Sequence, residues 1–253
     1  MATDTTRRVA LVGACGRMGR AITLRLSDAN FSILPLEAPG HPALGTDHGV
    51  ACGMAPTGVT VTTLAAPALA ACVAVVDFGS PESFRQALER AQAAGLPFLS
   101  GTTGLTDADR ALMAAAAKKI PLFHSANMSY GVAVIAEILP RLAQLTAGME
   151  AAIVEAHHSR KKDAPSGTAL KLGEIIAAGR GKKDVAIHAV RGGDVVGDHT
   201  ITFFGDAERI ELTHRAHSRD IFAAGAVHAL IWLLDRKGPG LYSMSDVVRD
   251  TAR

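Results

Sequence analysis

The chain has 253 residues, 48% of them hydrophobic and 20% charged, and a formal net charge of +2. That balance belongs to a core-forming globular protein of one large or two modest domains, not to a disordered chain. The small net charge gives no case for nucleic acid or an anionic membrane, and aromatics at 4% are too few for a base-stacking platform. Cys15, Cys52 and Cys72 are odd in number and lack Cys-x-x-Cys spacing. Reduced thiols packed as small apolar groups are therefore expected, with neither a disulfide framework nor a zinc site. Residues 1–8 are polar and lack the layout of a signal peptide. The longest apolar stretches, 64–76 and 221–234, fall short of the roughly 20 residues that span a bilayer. A soluble, cytoplasmic protein is expected.

In chain order, residues 8–12 form a β-type apolar run, 13–19 a glycine-rich turn, and 17–26 a helix with Met18, Ala21, Ile22 and Arg25 at helical spacing. A second strand over 31–36 is ended by Glu37 and Pro39, and 38–58 reads as loop. Strands follow at 59–63 and, almost wholly apolar, at 73–78. An amphipathic helix over 82–94 is closed by Gly95, residues 98–99 enter Gly101-Thr-Thr-Gly104, and helix 107–118 precedes strand 120–124. This alternation predicts a Rossmann-like, doubly wound parallel sheet. Near Asn127 the rhythm changes: helix 132–143, strand 151–156, helix 167–178, strands 185–190, 199–204 and 210–215, then a long helix 222–234. A smaller α+β domain with an open mixed sheet is expected there. The predicted division is 1–127 with 237–253 for a dinucleotide-binding domain, and 128–236 for substrate binding.

Gly13-Ala-Cys-Gly16-Arg-Met-Gly19 lies between a strand and a helix. Glycines there permit a tight turn and let backbone N–H groups and the positive helix end approach a pyrophosphate. Glu37, ending the second strand, stands where an acceptor for ribose hydroxyls belongs. A carboxylate there repels a 2′-phosphate, and the next residues, Ala38, Pro39 and Gly40, bring no cation. NADH is therefore expected over NADPH, with His41 or a loop arginine as the groups able to widen that choice.

Residues 155–170 concentrate proton-handling and anion-binding chemistry: His157, His158, Arg160, Lys161 and Lys162, followed by Ser166-Gly167-Thr168 at a helix start. The N–H groups around Ser166, Gly167 and Thr168 suit a carboxylate. Ser166 or Asp163 also suits a simple N-cap. Adjacent histidines after a strand point to different sides, so they do not chelate one metal, and no metal role is expected for them or for His214 and His217. Hydride added to a conjugated or iminium-like system leaves a carbanion or enamine that must take up a proton, which His157 or Lys161 is placed to give.

The run Glu155-Ala-His-His-x-x-Lys-x-Asp-Ala-Pro-Ser-Gly-Thr-Ala-Leu170 resembles the signature of the 4-hydroxy-tetrahydrodipicolinate reductase family. The likeness extends through residues 12–20, Asp77-Phe78, Gly101-Thr-Thr-Gly104, Ala126-Asn127, Arg191-Gly-Gly-Asp194 and Gly225-Ala226. It implies reduction of a cyclic dicarboxylate to tetrahydrodipicolinate by NADH or NADPH, on the diaminopimelate route to lysine. It also implies a substrate domain whose sheet builds a homotetramer. By resemblance, His157 is the proton donor and acceptor, His158 contacts substrate, Lys161 donates a proton, and Gly167 and Thr168 bind a substrate carboxylate. The nucleotide positions fall on Gly13, Ala14, Cys15, Gly16, Arg17, Met18, Glu37, Gly101, Thr102, Thr103, Ser125, Ala126, Asn127 and Met128. Arginines that some members carry after the acidic residue and after the Asp-Phe pair are replaced here by Ala38 and, behind Gly79, Ser80. The stretch 179–191 is also shorter than in many relatives. Another two-domain NAD(P)-dependent amino-acid or semialdehyde dehydrogenase would share the glycine turn without needing the paired histidines and lysine. A non-catalytic dinucleotide-binding regulator would have no use for His157 and Lys161 together.

Overall fold

Strand β1 (Arg7–Val12) sinks into the interior from Val9 onward, and Val9, Ala10, Leu11 and Val12 are all buried, as expected of a strand covered on both faces. The structure is a computed structural model that describes residues 7–64, 69–181, 185–236 and 238–251. After β1 come α1 (Arg17–Asp28), β2 (Phe31–Glu37), the short α2 (His48–Ala51), β3 (Thr62–Thr63), β4 (Ala74–Asp77), α3 (Pro81–Ala94), β5 (Phe98–Ser100), α4 (Asp107–Ala116) and β6 (Pro121–His124). The second half supplies α5 (Tyr130–Leu145), β7 (Glu150–His157), α6 (Gly167–Arg180), β8 (Ala186–Arg191), β9 (Asp198–Phe204) and β10 (Arg209–Arg215). The chain closes with α7 (Asp220–Leu234), β11 (Gly240–Tyr242) and α8 (Met244–Thr251).

Two compact units result: Met1–Met128 with Phe222–Val247, and Ser129–Ile221 with Val248–Arg253. The first holds a seven-stranded sheet in the order β11-β6-β5-β4-β1-β2-β3, every pairing parallel. The chain reverses direction across the sheet between β1 and β4, which is the switch point where ligands of such sheets bind. On one face Phe84 and Leu88 of α3 and Met113 of α4 join Val75, Phe98 and Leu122 in a core, with Phe84 and Phe98 edge to face at 5.7 Å. Helices α3 and α4 start where Ser80 and Thr106 form capping boxes. Arg85 then ties α3 to α4 through the Asp109 carboxylate, at 2.5 and 3.1 Å.

The second unit has a four-stranded mixed sheet, β10-β9-β7-β8. Strands β7 and β8 are parallel because α6 crosses between them, while β9 is antiparallel to both β7 and β10. Alternation sends Ile153, Ile201 and Phe203 into a core with Ile135 and Leu139 of α5 and Leu172 and Ile176 of α6. The opposite face leaves Val154, Val190 and Phe204 exposed.

The sequence placed most elements within one or two residues, and the differences have local causes. The expected loop 38–58 contains α2, which Asp47 nucleates by accepting the Val50 N–H while also holding Thr57 and Gly58. A four-residue helix is too short for periodicity to announce it. The strand expected at 59–63 shrinks to Thr62–Thr63, and β11 and α8 were not anticipated. The return to the first unit comes at Phe222 rather than at residue 237 and ends at Val247, with Gly225 of α7 packed on Met128 there. Parts of the polar N-terminus, of the 64–76 stretch, of the shortened 179–191 segment and of the 237–253 return lie outside the described residues.

Gly225 carries the closest packing of α7: a Cβ there would lie 1.8 Å from the Met128 carbonyl oxygen. Gly225→Ala is expected to cost at least about 2 kcal/mol, the overpacking range for a site that cannot relax. Urea unfolding midpoints of the two proteins measure it, and an unchanged midpoint contradicts this packing.

Candidate active site

The glycine turn leaves the carboxyl end of β1 at the switch point. Gly13 has φ +74°, and a Cβ would lie 2.8 Å from the Phe78 carbonyl oxygen, so glycine is required on both counts. Its N–H donates to the Leu36 carbonyl at 2.9 Å. Gly16 starts α1 without any side-chain cap, so the first-turn N–H groups of Arg17 and Met18 stand at the positive end of the helix with no cap from that residue. A pyrophosphate fits such an end. Glu37 ends β2 and is buried, with one oxygen accepting the Cys15 N–H at 2.7 Å and the other 4.0 Å from His41 Nε2. Half of the expected ribose acceptor is thus spent on holding the glycine turn. The nearest cationic candidate is the histidine foreseen from the sequence.

Ala14, Cys15, Thr102 and Met128 have buried side chains, so only their backbones can meet a cofactor. Thr102 has a further duty. Its hydroxyl donates to Asp77 at 2.7 Å, Ser100 Oγ donates to the same carboxylate at 2.8 Å, and the Gly79 N–H does so at 3.1 Å. Burial pushes the Asp77 carboxyl up, and the three donors oppose that shift. Asp77, which sequence reasoning used only as part of a motif, therefore joins the loops after β4 and β5. Gly101 continues this loop and Thr103 is exposed. Beyond β6, Ser125 Oγ donates to the Asn127 carbonyl at 2.6 Å, while Ala126 is exposed.

In the second unit, alternation along β7 puts Glu155 and His157 on the helix-covered face with Ile153. His157 Nδ1 is hydrogen-bonded to Glu155. Arg191, opposite His157 on β8, grips both Glu155 oxygens at 2.7 and 2.9 Å and donates to the Asp163 carbonyl at 2.7 Å. The Ser166 N–H reaches the same carboxylate at 3.1 Å. Burial alone would raise the Glu155 carboxyl, but Arg191, His157 and the Ser166 N–H outweigh it and hold it low. With Nδ1 tied to a carboxylate, Nε2 is the nitrogen left for proton transfer.

His199, paired with Glu155 on β9, stands edge to face with His157 at 5.3 Å and 3.3 Å from Ser166 Oγ. Burial and the nearby His157 push its pKa down to about 4. His158 leaves the other side of the strand end and is half-buried, its pKa lowered by burial and by Arg219, Arg160, His157 and Lys161. Lys161 Nζ lies 2.8 Å from both Asp163 oxygens, and Arg160 lies 2.8 Å from Asp194. This crowd of cations favours an anionic ligand.

One expectation needs correcting. Ser166 is 2% exposed, its N–H is committed to Glu155, and its hydroxyl accepts the Ala169 N–H at 3.2 Å. It is a strut of the site, which leaves Gly167, exposed at the first turn of α6, and Thr168 of the expected carboxylate cradle. Glu155, Arg191 and His199 were missed as functional. Only the two-residue spacing of Glu155 and His157 on a strand signalled that they share a face.

His199 predicts an acid weakness. Its folded pKa of about 4 lies below its ordinary 6.5, so between those values the unfolded chain binds a proton that the folded chain refuses. Stability is complete above pH 6.5 and falls as pH drops towards 4, by at most about 3 kcal/mol from this group. His199→Asn should flatten that slope in urea midpoints measured at pH 7, 5.5 and 4.5. An equally steep slope in the variant refutes the assignment.

Comparison with known proteins shows the family of the chain. Residues 7–128 match the family model described as dihydrodipicolinate reductase, N-terminus, and residues 131–248 match the one described as dihydrodipicolinate reductase, C-terminus. Similar curated relatives include the 4-hydroxy-tetrahydrodipicolinate reductases of Thiobacillus denitrificans, 42% identical, and Geotalea uraniireducens, 38% identical. Each alignment covers 95% of this chain and 98% of the relative. A dipicolinate-bound dihydrodipicolinate reductase from Paenisporosarcina sp. TG-14 has the same fold, with a TM-score of 0.77 at 20% identity, covering 96% of this chain and 100% of that one. An aspartate semialdehyde dehydrogenase II from Vibrio cholerae has a TM-score of 0.56 at 12% identity, over 91% of this chain and 98% of that one, a likeness of fold only. With both halves matched and its relatives covered nearly end to end, the chain belongs to the dihydrodipicolinate reductase family.

Proposed function

We propose that the protein reduces 4-hydroxy-tetrahydrodipicolinate to tetrahydrodipicolinate in lysine and diaminopimelate biosynthesis, with NADH preferred over NADPH. The observation that carries it is the Glu155–His157 pair beneath the start of α6, with Arg191 clamping the carboxylate. The net reaction takes up one hydride and one proton and releases one water. When bound, the nicotinamide supplies the hydride. The glycine turn and the uncapped start of α1 receive the pyrophosphate, and Glu37 receives a ribose hydroxyl through the oxygen that Cys15 leaves over. Gly167 and Thr168 take a substrate carboxylate, Arg160 and Lys161 offset the dicarboxylate's charge, and His158 is a further substrate contact. His157 delivers the proton from Nε2 while Glu155 stabilises the imidazolium, and Lys161, steadied by Asp163, is the second donor. The first unit is then the dinucleotide-binding domain and the second the substrate domain. The exposed Val154, Val190 and Phe204 on one face of the β10-β9-β7-β8 sheet support a homotetramer built through that face. Among the described residues, no helix is long and apolar enough to cross a membrane, which agrees with work in the cytoplasm.

His157→Gln and Lys161→Ala are each expected to lower kcat by about 100-fold or more, the usual span of general acid catalysis, with NADH affinity by fluorescence titration within about twofold. Undiminished turnover in either variant removes that residue from the mechanism. Side-by-side titration should give tighter NADH than NADPH, and pyridine-2,6-dicarboxylate should compete with substrate. Much tighter NADPH binding overturns the role given to Glu37.

A further inference from the structure

Cys15, His48 and Cys52 meet beneath the glycine turn, outside the proton-transfer site. All three are buried, His48 completely. Their two sulfurs and one imidazole nitrogen lie within 4.8 Å of one another. The cause is local: the Asp47 cap sets α2, which puts His48 at its first position and Cys52 at its C-cap, four residues apart on one side. Val61, Ala43, Leu44, Ala51 and Met54 enclose the group. Arg20 braces both flanks, donating to the Cys15 carbonyl at 3.0 Å and to the Ala51 carbonyl at 3.3 Å.

Three small apolar groups would pack this way without further purpose, as the sequence leads one to expect of the cysteines. The imidazole does not fit that account. Nε2, the nitrogen that faces the two sulfurs, has only two contacts of 3.3 Å, to the Ala14 carbonyl and to Cys52 Sγ. A wholly buried ring is poorly served by that. The sulfur–nitrogen separation, in contrast, suits coordination. A tetrahedral zinc with bonds of about 2.3 Å to sulfur and about 2.0 Å to nitrogen has an edge of about 3.5 Å between those ligands.

We propose that Cys15, His48 and Cys52 bind one thiophilic divalent d10 cation, zinc being the type, through two thiolates and imidazole Nε2, with water as the fourth ligand. Binding replaces two S–H protons by two metal–sulfur bonds and releases both protons, so the buried site is left neutral. Soft sulfur with imidazole selects such ions over magnesium or calcium. Burial also pushes the Cys15 thiol up to about 12 and raises that of Cys52, which keeps the bare pair protonated and slow to oxidise to a disulfide. The consequence lies in the turn. The Cys15 N–H holds Glu37, so an ion on Cys15 and Cys52 ties α2 to the glycine turn.

The test uses the full chain, reduced and freed of metal with a chelator, titrated with Co2+ as a spectroscopic probe. One equivalent should bind with thiolate-to-cobalt charge-transfer absorption and the strong visible bands of a tetrahedral site, and Zn2+ should displace it. Cys72→Ser, in a separate cluster, should retain the signal. Cys52→Ser should lose the charge-transfer intensity contributed by its sulfur, and His48→Gln should weaken binding more than about tenfold. The absence of thiolate absorption in the intact protein overturns the site, as does an unchanged spectrum in Cys52→Ser. A Cys15–Cys52 disulfide in the isolated protein, with no cobalt binding after reduction, also overturns it and makes the pair a redox couple instead. If the variants fail to fold, the titration of the intact protein still decides.

Discussion

A carboxylate with no exposure to solvent must be fully bonded, and Glu155 is: Arg191 takes both oxygens, and His157 and the Ser166 N–H take what is left. A buried ion pair of this kind adds little to net stability, yet removing either partner strands a charge. Its value is geometric. One carboxylate joins β7, β8 and the start of α6, so the histidine, the arginine and the helix start cannot move independently. The same bond fixes which His157 nitrogen carries its proton and leaves Nε2 uncommitted to Glu155.

Asp77 repeats this logic in the first unit. It is buried at the carboxyl end of β4 and gathers Ser100, Thr102 and the Gly79 N–H. The loops that leave a parallel sheet at its switch point have no strand partners of their own, so a buried acceptor orders them. Thr102 thereby becomes support for the loop that Gly101 and Thr103 share with it. Glu37 is divided in the same sense, one oxygen bracing the glycine turn at Cys15.

Much of the molecule was legible in the sequence because its signals are local. The apolar runs at β1 and β4 read as buried strands, Gly95 closes α3, and Ser166 opens α6. The candidate run 157–168 stood out for the same reason, being continuous in the sequence. Helix α2 was not, since it depends on Asp47 bonding to Thr57 and Gly58 across a loop. Strand β11 was not, since its three residues exist only by pairing with β6. Arg191 and His199 escaped notice because they come from β8 and β9 and meet Glu155 only through strand register.

The sequence by itself determined the two-domain plan, the glycine turn, the family and the residue types of the proton-transfer run, because spacing along one chain encodes periodicity, turns and helix starts. Only the tertiary structure decided which of those polar groups are left open and which hold the others in place. It tied Ser166 to Glu155, spent half of Glu37 and the Thr102 hydroxyl proton on internal bonds, and brought Cys15 to His48 and Cys52. The physical reason is that a polar group's availability depends on whether folding has already supplied its partner, and partners distant in sequence are chosen by register and packing.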